Sequence, residues 1–310
     1  MSSDHTLSSG RATTCKPVIC ATGVSSTLPM MSLLGGRRAH DDAPVAPPAS
    51  RGLRFRRSSV FSAGELLLTL TQSDLHFRYG RGPWQVVRWL VDPFALVGVY
   101  LILVAVVLDR AGTAPGLSIA CAVVPFQLVM LSVGNAMGAV TQRRPIITNM
   151  AFRRSLIPLS SVLTEFVAFA ASFAVIAVMM AIYTVPPTLA VLWLPIAVLV
   201  TCVLAAALAY PASLYGLWWR EMRQLGLSFM RILFFIGPGL VPLAATGAAE
   251  RWLRLNPLTG IFETYRDIFL YGRSPAAWQL LYPLGFAMLL LAVFVPLYRR
   301  EQREFAKVAA

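Results

Sequence analysis

The chain contains 310 residues, of which 57% are hydrophobic and only 13% are charged. Because a soluble domain carries roughly 25% charged residues, this composition excludes a soluble enzyme. The formal net charge of +13 is compatible with nucleic-acid binding, but no basic cluster outside the apolar runs is interleaved with the aromatic residues that such a surface uses. We therefore expect a membrane protein that binds no nucleic acid.

The N-terminal segment differs in composition from the rest of the chain. Residues 1–58 are rich in Ser, Ala, Pro, Gly and Arg without apolar periodicity, which predicts a disordered tail. Residues 59–310 are predicted to form the transmembrane domain. Ser62 and Glu65 have the spacing of a capping box, which opens a helix. One side of that helix is apolar and carries Leu66, Leu67, Leu70 and Phe77. We expect this amphipathic helix to lie in the cytoplasmic interface; a solvated helix is the alternative.

Six long apolar runs follow this segment, each near or above the roughly 20 residues that cross a hydrocarbon core about 30 Å thick. Backbone groups in lipid must be satisfied internally, so each run is predicted to be a helix. The runs cover residues 89–108, 117–140, 156–184, 189–217, 232–249 and 276–298. The fifth run is the weakest, because it contains Gly237, Pro238, Gly239 and Pro242. The sequence predicts an all-α membrane protein with six transmembrane helices.

The distribution of basic residues predicts the orientation of these helices. If the N-terminus is inside and six spans alternate, 22 of the 27 Lys and Arg residues fall on the cytoplasmic side and 5 on the outer side. Without the long N-terminal segment the ratio is still 11 to 5. The positive-inside rule then predicts that both termini are cytoplasmic.

Two acidic residues within the apolar runs are functional candidates by default. Asp92 lies near the inner boundary, four residues after Arg88, which favours a local ion pair. Glu165 lies deeper, where it either contacts substrate, takes part in coupling or forms a hydrogen bond between helices. One deep carboxylate is a weak basis for a proton-coupled transporter, which would show inverted repeats and more buried carboxylates.

Two connecting segments carry apolar residues that a simple tether would not need. The cytoplasmic loop 142–158 is basic and contains Ile146, Ile147, Met150 and Phe152, which either dock a partner or rest on the membrane surface. The outer segment 250–275 has apolar residues at helical spacing but is too charged to span. We expect one or two short helices at the outer interface, with Asn256 and Pro257 opening the second.

The sequence lacks the motifs of several enzyme classes. It contains no G-x-x-x-x-G-K-[ST], G-x-S-x-G or H-E-x-x-H, and its four cysteines and three histidines are scattered. We therefore expect no metal site, no cofactor bound by the chain and no enzymatic activity of the chain by itself. A membrane-embedded glycosyl- or acyltransferase would need acidic or histidine-bearing loops, but Glu250, Glu263 and Asp267 have no metal-binding spacing.

Four segments, taken in order, resemble the permeases of ABC type-2 transporters. They are DLHFRYGRGPWQVVRWLVDPFALVGVYLILV (74–104), ITNMAFRRSLIPLSSVLTEFVAF (147–169), WWREMRQLGLSFMRILFFIGPGLVPL (218–243) and RLNPLTGIFETYRDIFLYGRSP (254–275). The last segment is similar nearly throughout to the family's L-N-P-[LM]-x-G-[IL]-[IV]-E-x-[FY]-R motif. The resemblance covers about residues 65–306. Arg153 departs from the family, which commonly has Pro there, and Arg220-Glu221-Met222 replaces the usual R-D-[VI].

The branch that the chain most resembles exports lipid-linked O-antigen, teichoic acid, galactan or capsular polysaccharide for the cell envelope. The resemblance implies a homodimer in the bacterial cytoplasmic (inner) membrane, with two copies of a separate ATPase subunit that uses the ATP. An exporter of a drug or a lipid with the same architecture is the alternative within the family.

The resemblance also assigns roles to particular residues. The residues expected to couple to the ATPase are Ile146, Ile147, Met150, Phe152, Arg153 and Arg154. The outer segment would form gate helices over a central channel lined with aromatics, with gate residues Asn256, Pro257, Gly260, Glu263 and Arg266. If the segment is a gate, replacing Glu263 or Arg266 by Ala should reduce export without disturbing assembly. The alternative is that the two form a surface i, i+3 pair that contributes little.

Overall fold

The computed structural model describes residues 63–79, 84–102, 114–143, 155–219 and 223–301. Within these ranges the fold is entirely helical, and no strand occurs. The predicted tail, residues 1–58, lies outside the described residues, as does Ser62 of the expected capping box. The disorder of the tail and the domain boundary after residue 58 stay predictions.

The helices within the described ranges are numbered here in chain order. They are α1 (Ala63–Tyr79), α2 (Trp84–Ile102), α3 (Pro115–Gln142), α4 (Leu156–Ile182), α5 (Leu194–Trp218), α6 (Arg223–Ile236), α7 (Glu250–Leu253), α8 (Pro257–Phe269) and α9 (Ala277–Glu301). Short 3₁₀ turns precede α5 at Leu189–Trp193 and precede α7 at Leu243–Ala245 and Gly247–Ala249.

Four segments of the described chain are long and apolar enough to cross a membrane. They are Pro115–Gln142, Leu156–Ile182, Leu189–Trp218 and Ala277–Glu301. At about 1.5 Å per residue, even the shortest of these is longer than a hydrocarbon core of about 30 Å. They coincide with the second, third, fourth and sixth predicted runs. The chain is therefore a multi-pass membrane protein.

The first and fifth predicted spans differ from these four. Helix α2 contains Arg88 and Asp92, and its described part ends at Ile102. Helix α6 has 14 residues, about 21 Å, and ends at Ile236. The prediction of a single helix over 232–249 is wrong. Glycines and prolines follow Ile236 directly, and a proline disfavours the helical conformation of the residue before it.

Helix α3 is the central element of the bundle. It packs against α2, α4, α5, α6 and α8, and within its most apolar window 83% of residues are buried. A helix that is hydrophobic on all sides is expected to be surrounded by other helices. The corresponding window of α9 is only 11% buried, which leaves most of α9 free to contact lipid.

Helix α1 confirms the helix that was expected before the first span. It packs against α4, with Leu70 and Thr71 buried and Leu68 exposed. The side chains of Leu66 and Phe77 are outside the described residues. Because α1 rests on the bundle through part of its apolar side, it is not a freely solvated helix. Its location in the cytoplasmic interface stays a prediction.

Candidate functional site

Helix α8 lies inside the helical bundle, not on its outer surface. It packs between α3 and α9, and every residue from Leu258 to Phe269 is buried. Its 13 residues are too few to span a hydrocarbon core. The expected short helix is confirmed, whereas its location at the outer interface stays a prediction. Three charged side chains of α8 are buried, and a buried charge must be paired or hydrogen-bonded to be tolerated.

The start of α8 confirms the predicted helix opening at Asn256 and Pro257. The Asn256 side chain accepts a hydrogen bond from the Leu258 N–H at 3.0 Å, the usual role of an N-cap residue. Pro257 occupies the first turn, where a missing N–H has no consequence. Asn256 Nδ2 also donates to the Leu233 carbonyl at 2.8 Å. One side chain thus joins α8 to α6.

Glu263 and Arg266 form an ion pair on the buried face of α8. Arg266 Nη1 lies 2.7 Å from Glu263 Oε1, and the two side chains are 0% and 8% exposed. The same carboxylate oxygen accepts a hydrogen bond from the Leu243 N–H at 3.0 Å. The alternative of a surface i, i+3 pair is therefore wrong, because both partners are removed from solvent.

The Arg266 guanidinium connects three parts of the bundle. Nη1 donates to the Pro238 carbonyl at 2.6 Å and Nη2 to the Gly239 carbonyl at 2.9 Å. Nε donates to the Ser118 hydroxyl at 3.1 Å, near the start of α3. The break after α6 leaves carbonyls without helical partners, and such groups at membrane depth must find partners within the protein. Arg266 supplies them.

Gly260 marks the closest approach of α8 to α9. A Cβ atom at this position would lie 2.6 Å from the Gln279 carbonyl oxygen, which is too close for any other residue. Gln279 Nε2 also donates to Asp267 Oδ2 at 2.8 Å. Arg273 Nη2 lies 2.7 Å from Asp267 Oδ1. The C-terminal half of α8 is thereby fixed to the turn before α9 through Arg273 and to the first turn of α9 through Gln279.

Aromatic rings surround α8 on two sides. Phe126, Phe234 and Phe262 form one group, with centroids of adjacent rings 4.5–6.5 Å apart. The second group contains Phe169, Phe173, Tyr265 and Phe269. The rings of both groups are largely buried in the hydrophobic core, so they pack α8 into the bundle. Lining of a channel by aromatic residues stays a prediction.

Of the two acidic residues predicted to lie within the membrane, Glu165 and Asp92, only the side chain of Glu165 is described by the structure. Glu165 in α4 is 1% exposed, and Asn135 Nδ2 in α3 donates to its Oε1 at 2.5 Å. This contact is a hydrogen bond between helices, one of the roles expected for Glu165. The side chains of Asp92 and Arg88 lie outside the described residues, so their ion pair stays a prediction.

The expected coupling residues, Ile146, Ile147, Met150, Phe152, Arg153 and Arg154, lie outside the described residues. The two ends of their loop are described. Arg143 at the end of α3 forms an ion pair with Asp74 of α1 and donates to Ile157 O and Ser160 Oγ of α4. Three helices therefore meet where the loop begins and ends.

Sequence reasoning missed several residues of these clusters, among them Asn135, Ser118 and Asp74. Asn135 is a polar residue within an apolar run and could have been singled out by the same argument as Glu165. Ser118 and Asp74 carry no such signal, because their partners are distant in sequence. Across the residues that the structure describes, no group of three or more His, Cys, Asp or Glu side chains could hold a metal ion. The clusters described above fix helices in place.

Comparison with known proteins supports the resemblance seen in the motifs. No family model matches the chain. The chain is 27% identical over 246 residues to the O-antigen export system permease protein RfbA of Myxococcus xanthus, an alignment that covers 78% of this chain and 94% of the relative. It is 23% identical over 247 residues to RfbA of Klebsiella pneumoniae, covering 79% and 95%. A second RfbA from that organism is 22% identical with the same coverage. The chain is thus related to polysaccharide-export permeases.

Proposed function

We propose that the chain is the membrane-spanning permease subunit of an ATP-driven exporter of lipid-linked polysaccharide or polyol phosphate. The observation that carries this proposal is similarity over 94% or more of the length of each O-antigen export permease. The four membrane-crossing segments are consistent with it. The protein is expected to reside in the bacterial cytoplasmic membrane.

The topology in this proposal has six membrane spans and places both termini in the cytoplasm. Two features of the described residues support this arrangement. Arg143, Arg223 and Arg299 stand at the ends of α3, α6 and α9 that the topology places inside, as the positive-inside rule requires. Trp218 and Trp219 are half exposed at the inner end of α5, the level of the bilayer at which tryptophan is enriched.

Within this arrangement α8 and the break after α6 act as the outer gate of a central channel. The exposed side chain of Arg231, halfway along α6, supports a channel beside that helix. A charged side chain at the depth of the hydrocarbon is costly unless it faces water or a protein partner. A homodimer that encloses a water-filled channel between its two copies would provide Arg231 with both water and a protein partner.

The partner in this proposal is a separate ABC ATPase, with two copies per homodimer. The sequence contains no nucleotide-binding motif, so the chain itself binds no cofactor and the partner uses the ATP. The loop between α3 and α4 is the docking element, with Phe152 as its principal apolar anchor. The ion pair between Arg143 and Asp74 would hold α1 against the base of that loop.

Co-purification from detergent with the co-expressed ATPase tests the proposal. Phe152→Ala should weaken association with the ATPase and uncouple ATP hydrolysis from export, while membrane insertion stays normal. Leu192→Ala is a matched control, because Leu192 is 76% exposed on the opposite side of the predicted membrane. Export without a bound ATPase would refute the proposal, as would full ATPase binding after replacement of the whole loop by Gly and Ser.

A further inference from the structure

An apolar groove lies between α3, α5 and α6. Its volume is about 400 Å³, within the range of about 300–1,000 Å³ that holds small ligands. Its walls are formed by Val133, Met137, Leu208, Pro211, Ala212, Tyr215, Leu225, Gly226, Phe229 and Met230. Leu225 and Phe229 are more than half exposed. Because no wall residue is charged, a groove at this depth of a membrane would be filled by hydrocarbon, not by water.

Arg223 stands beside the inner end of this groove. It precedes Gly226 by less than one turn of α6, and its Nη2 donates to the Gly134 carbonyl of α3 at 2.9 Å. Its Nε is buried and has no hydrogen-bond partner among the residues that the structure describes. A buried donor of a cation without a partner is unfavourable. The Arg223 side chain as a whole is only partly buried, so an anion on its accessible side would offset that cost.

Small residues create the space for both the groove and the guanidinium. A Cβ atom on Gly138 would lie 3.2 Å from Arg223 Nη1, and one on Gly226 would lie 2.5 Å from Met137 Cε. Gly134 and Gly138 are four residues apart on α3, the spacing that allows close approach of membrane helices. The position of the guanidinium at the end of the groove is therefore built into the packing of α3 against α6.

The charged edge of α6 is separate from the groove. Arg231 follows Gly226 by five residues, about 140° around the helix, and Phe229 by two, about 200°. The proposed channel beside Arg231 and the groove beside Phe229 thus lie on different sides of α6.

We propose that this groove binds an anionic phospholipid of the inner leaflet, with one acyl chain between α5 and α6 and the phosphate on Arg223. The apolar walls fit the chain, and guanidinium groups bind phosphate through paired N–H donors. One arginine at the first turn of α6, where the helix dipole also favours an anion, matches the single net negative charge of a headgroup such as phosphatidylglycerol, which lacks the cationic amine of zwitterionic lipids. The site requires only that the protein resides in a membrane, so it is independent of the proposed export function.

Photocrosslinking of the full chain in phosphatidylethanolamine vesicles tests this site. The probe is phosphatidylglycerol with a diazirine within one acyl chain, and phosphatidylcholine with the same chain is the matched lipid control. We expect labelling of peptides that contain Met137 and Phe229, with a preference for the anionic probe of about fivefold, the effect of one arginine near an anionic headgroup.

Variants then separate the headgroup contact from the groove. Arg223→Gln should abolish the preference for phosphatidylglycerol, whereas Arg231→Gln, which removes the same charge from the other side of α6, should retain it. Ala212→Phe should fill the groove and suppress labelling by both probes; if it fails to fold, Arg223→Gln still decides the outcome.

Four results would overturn the proposal. The first is equal labelling by the two lipids in the wild type, and the second is an unchanged preference in Arg223→Gln. The third is complete protection of both peptides, which would mean that a second copy of the chain covers the groove. The fourth is displacement of the probe by polyprenyl phosphate but not by phosphatidylglycerol, which would assign the site to a different lipid. The first three results leave the proposed export function untouched.

Discussion

Arg143, at the end of α3, is joined to Asp74 of α1 by an ion pair in which the arginine side chain is 7% exposed and the aspartate 29%. Two further hydrogen bonds hold the same guanidinium against the start of α4. The contact attaches α1 to both ends of the loop between α3 and α4. Movement of that loop would therefore be transmitted to α1.

Asp74→Asn should loosen α1. The nearly buried guanidinium would lose its charged partner, and leaving such a group without that partner costs about 1–3 kcal/mol, a factor of about 5 to 150 in an equilibrium. Hydrogen exchange of residues 63–79 in nanodiscs should accelerate by about that factor. Ser73→Ala, an exposed neighbour on α1, should leave exchange unchanged. Equal protection of α1 in both variants would contradict this role of the pair.

The buried pair in α8 leads to a prediction about stability. Arg266→Ala should destabilise the protein by about 3–5 kcal/mol, because it leaves the Glu263 carboxylate buried without its partner. It also leaves the Pro238 and Gly239 carbonyls without donors. We expect a lower midpoint of thermal unfolding in detergent and a smaller inserted fraction.

The exposed pair of Glu250 and Arg254 is the matched control for Arg266. Its partners are 2.5 Å apart, and their side chains are 39% and 49% exposed, so Arg254→Ala should change stability by at most about 1 kcal/mol. Glu263→Gln combined with Arg266→Met should be less harmful than the sum of the single changes. If Arg266→Ala inserts normally and loses only export, Arg266 acts in gating and not in assembly.

The elements that the sequence predicted well are those with a local signal. A run of hydrocarbon-spanning length identifies a helix by itself, and four of the six runs correspond to membrane-crossing segments of the described chain. Asn256 and Pro257 likewise predict the start of α8, because an N-cap and a first-turn proline act within a few residues. The glycines and prolines from Gly237 to Pro242 indicated a weak span, and α6 ends before them.

The burial of α8 could not be predicted in the same way. Its charged residues give it the composition of a surface segment, and only their partners make burial tolerable. Arg266 depends on Ser118 and on the break at Pro238, which are distant in sequence. The contact of Asn135 with Glu165 joins two helices in the same manner. Pairings between distant residues need the packed bundle before they can be recognised.

The orientation of the spans is tested by cysteine labelling in a cysteine-free background. Pro186→Cys and Ser274→Cys should react from outside with a membrane-impermeant thiol reagent, because the outer segments together carry only 5 of the 27 Lys and Arg residues. Met222→Cys and Phe305→Cys should react only after the membrane is permeabilised. Permeabilised cells supply the control for total reactivity. Reversal at any two positions would show that the charge bias does not determine the topology of this chain.

The packing of α5 against α3 provides the last prediction. A Cβ atom on Gly216 would overlap the backbone carbonyl of Met137, and a backbone group cannot move aside as a flexible side chain can. Gly216→Val should therefore force α5 away from α3 and destabilise the bundle by about 1–3 kcal/mol or more. Gly285→Val in α9 is the matched control, because nothing lies within 4 Å of a Cβ atom there. Fluorescence-detected size-exclusion chromatography after heating should show early aggregation of Gly216→Val and wild-type behaviour of Gly285→Val. Equal stability of the two variants would mean that α3 and α5 are not in direct backbone contact at Gly216.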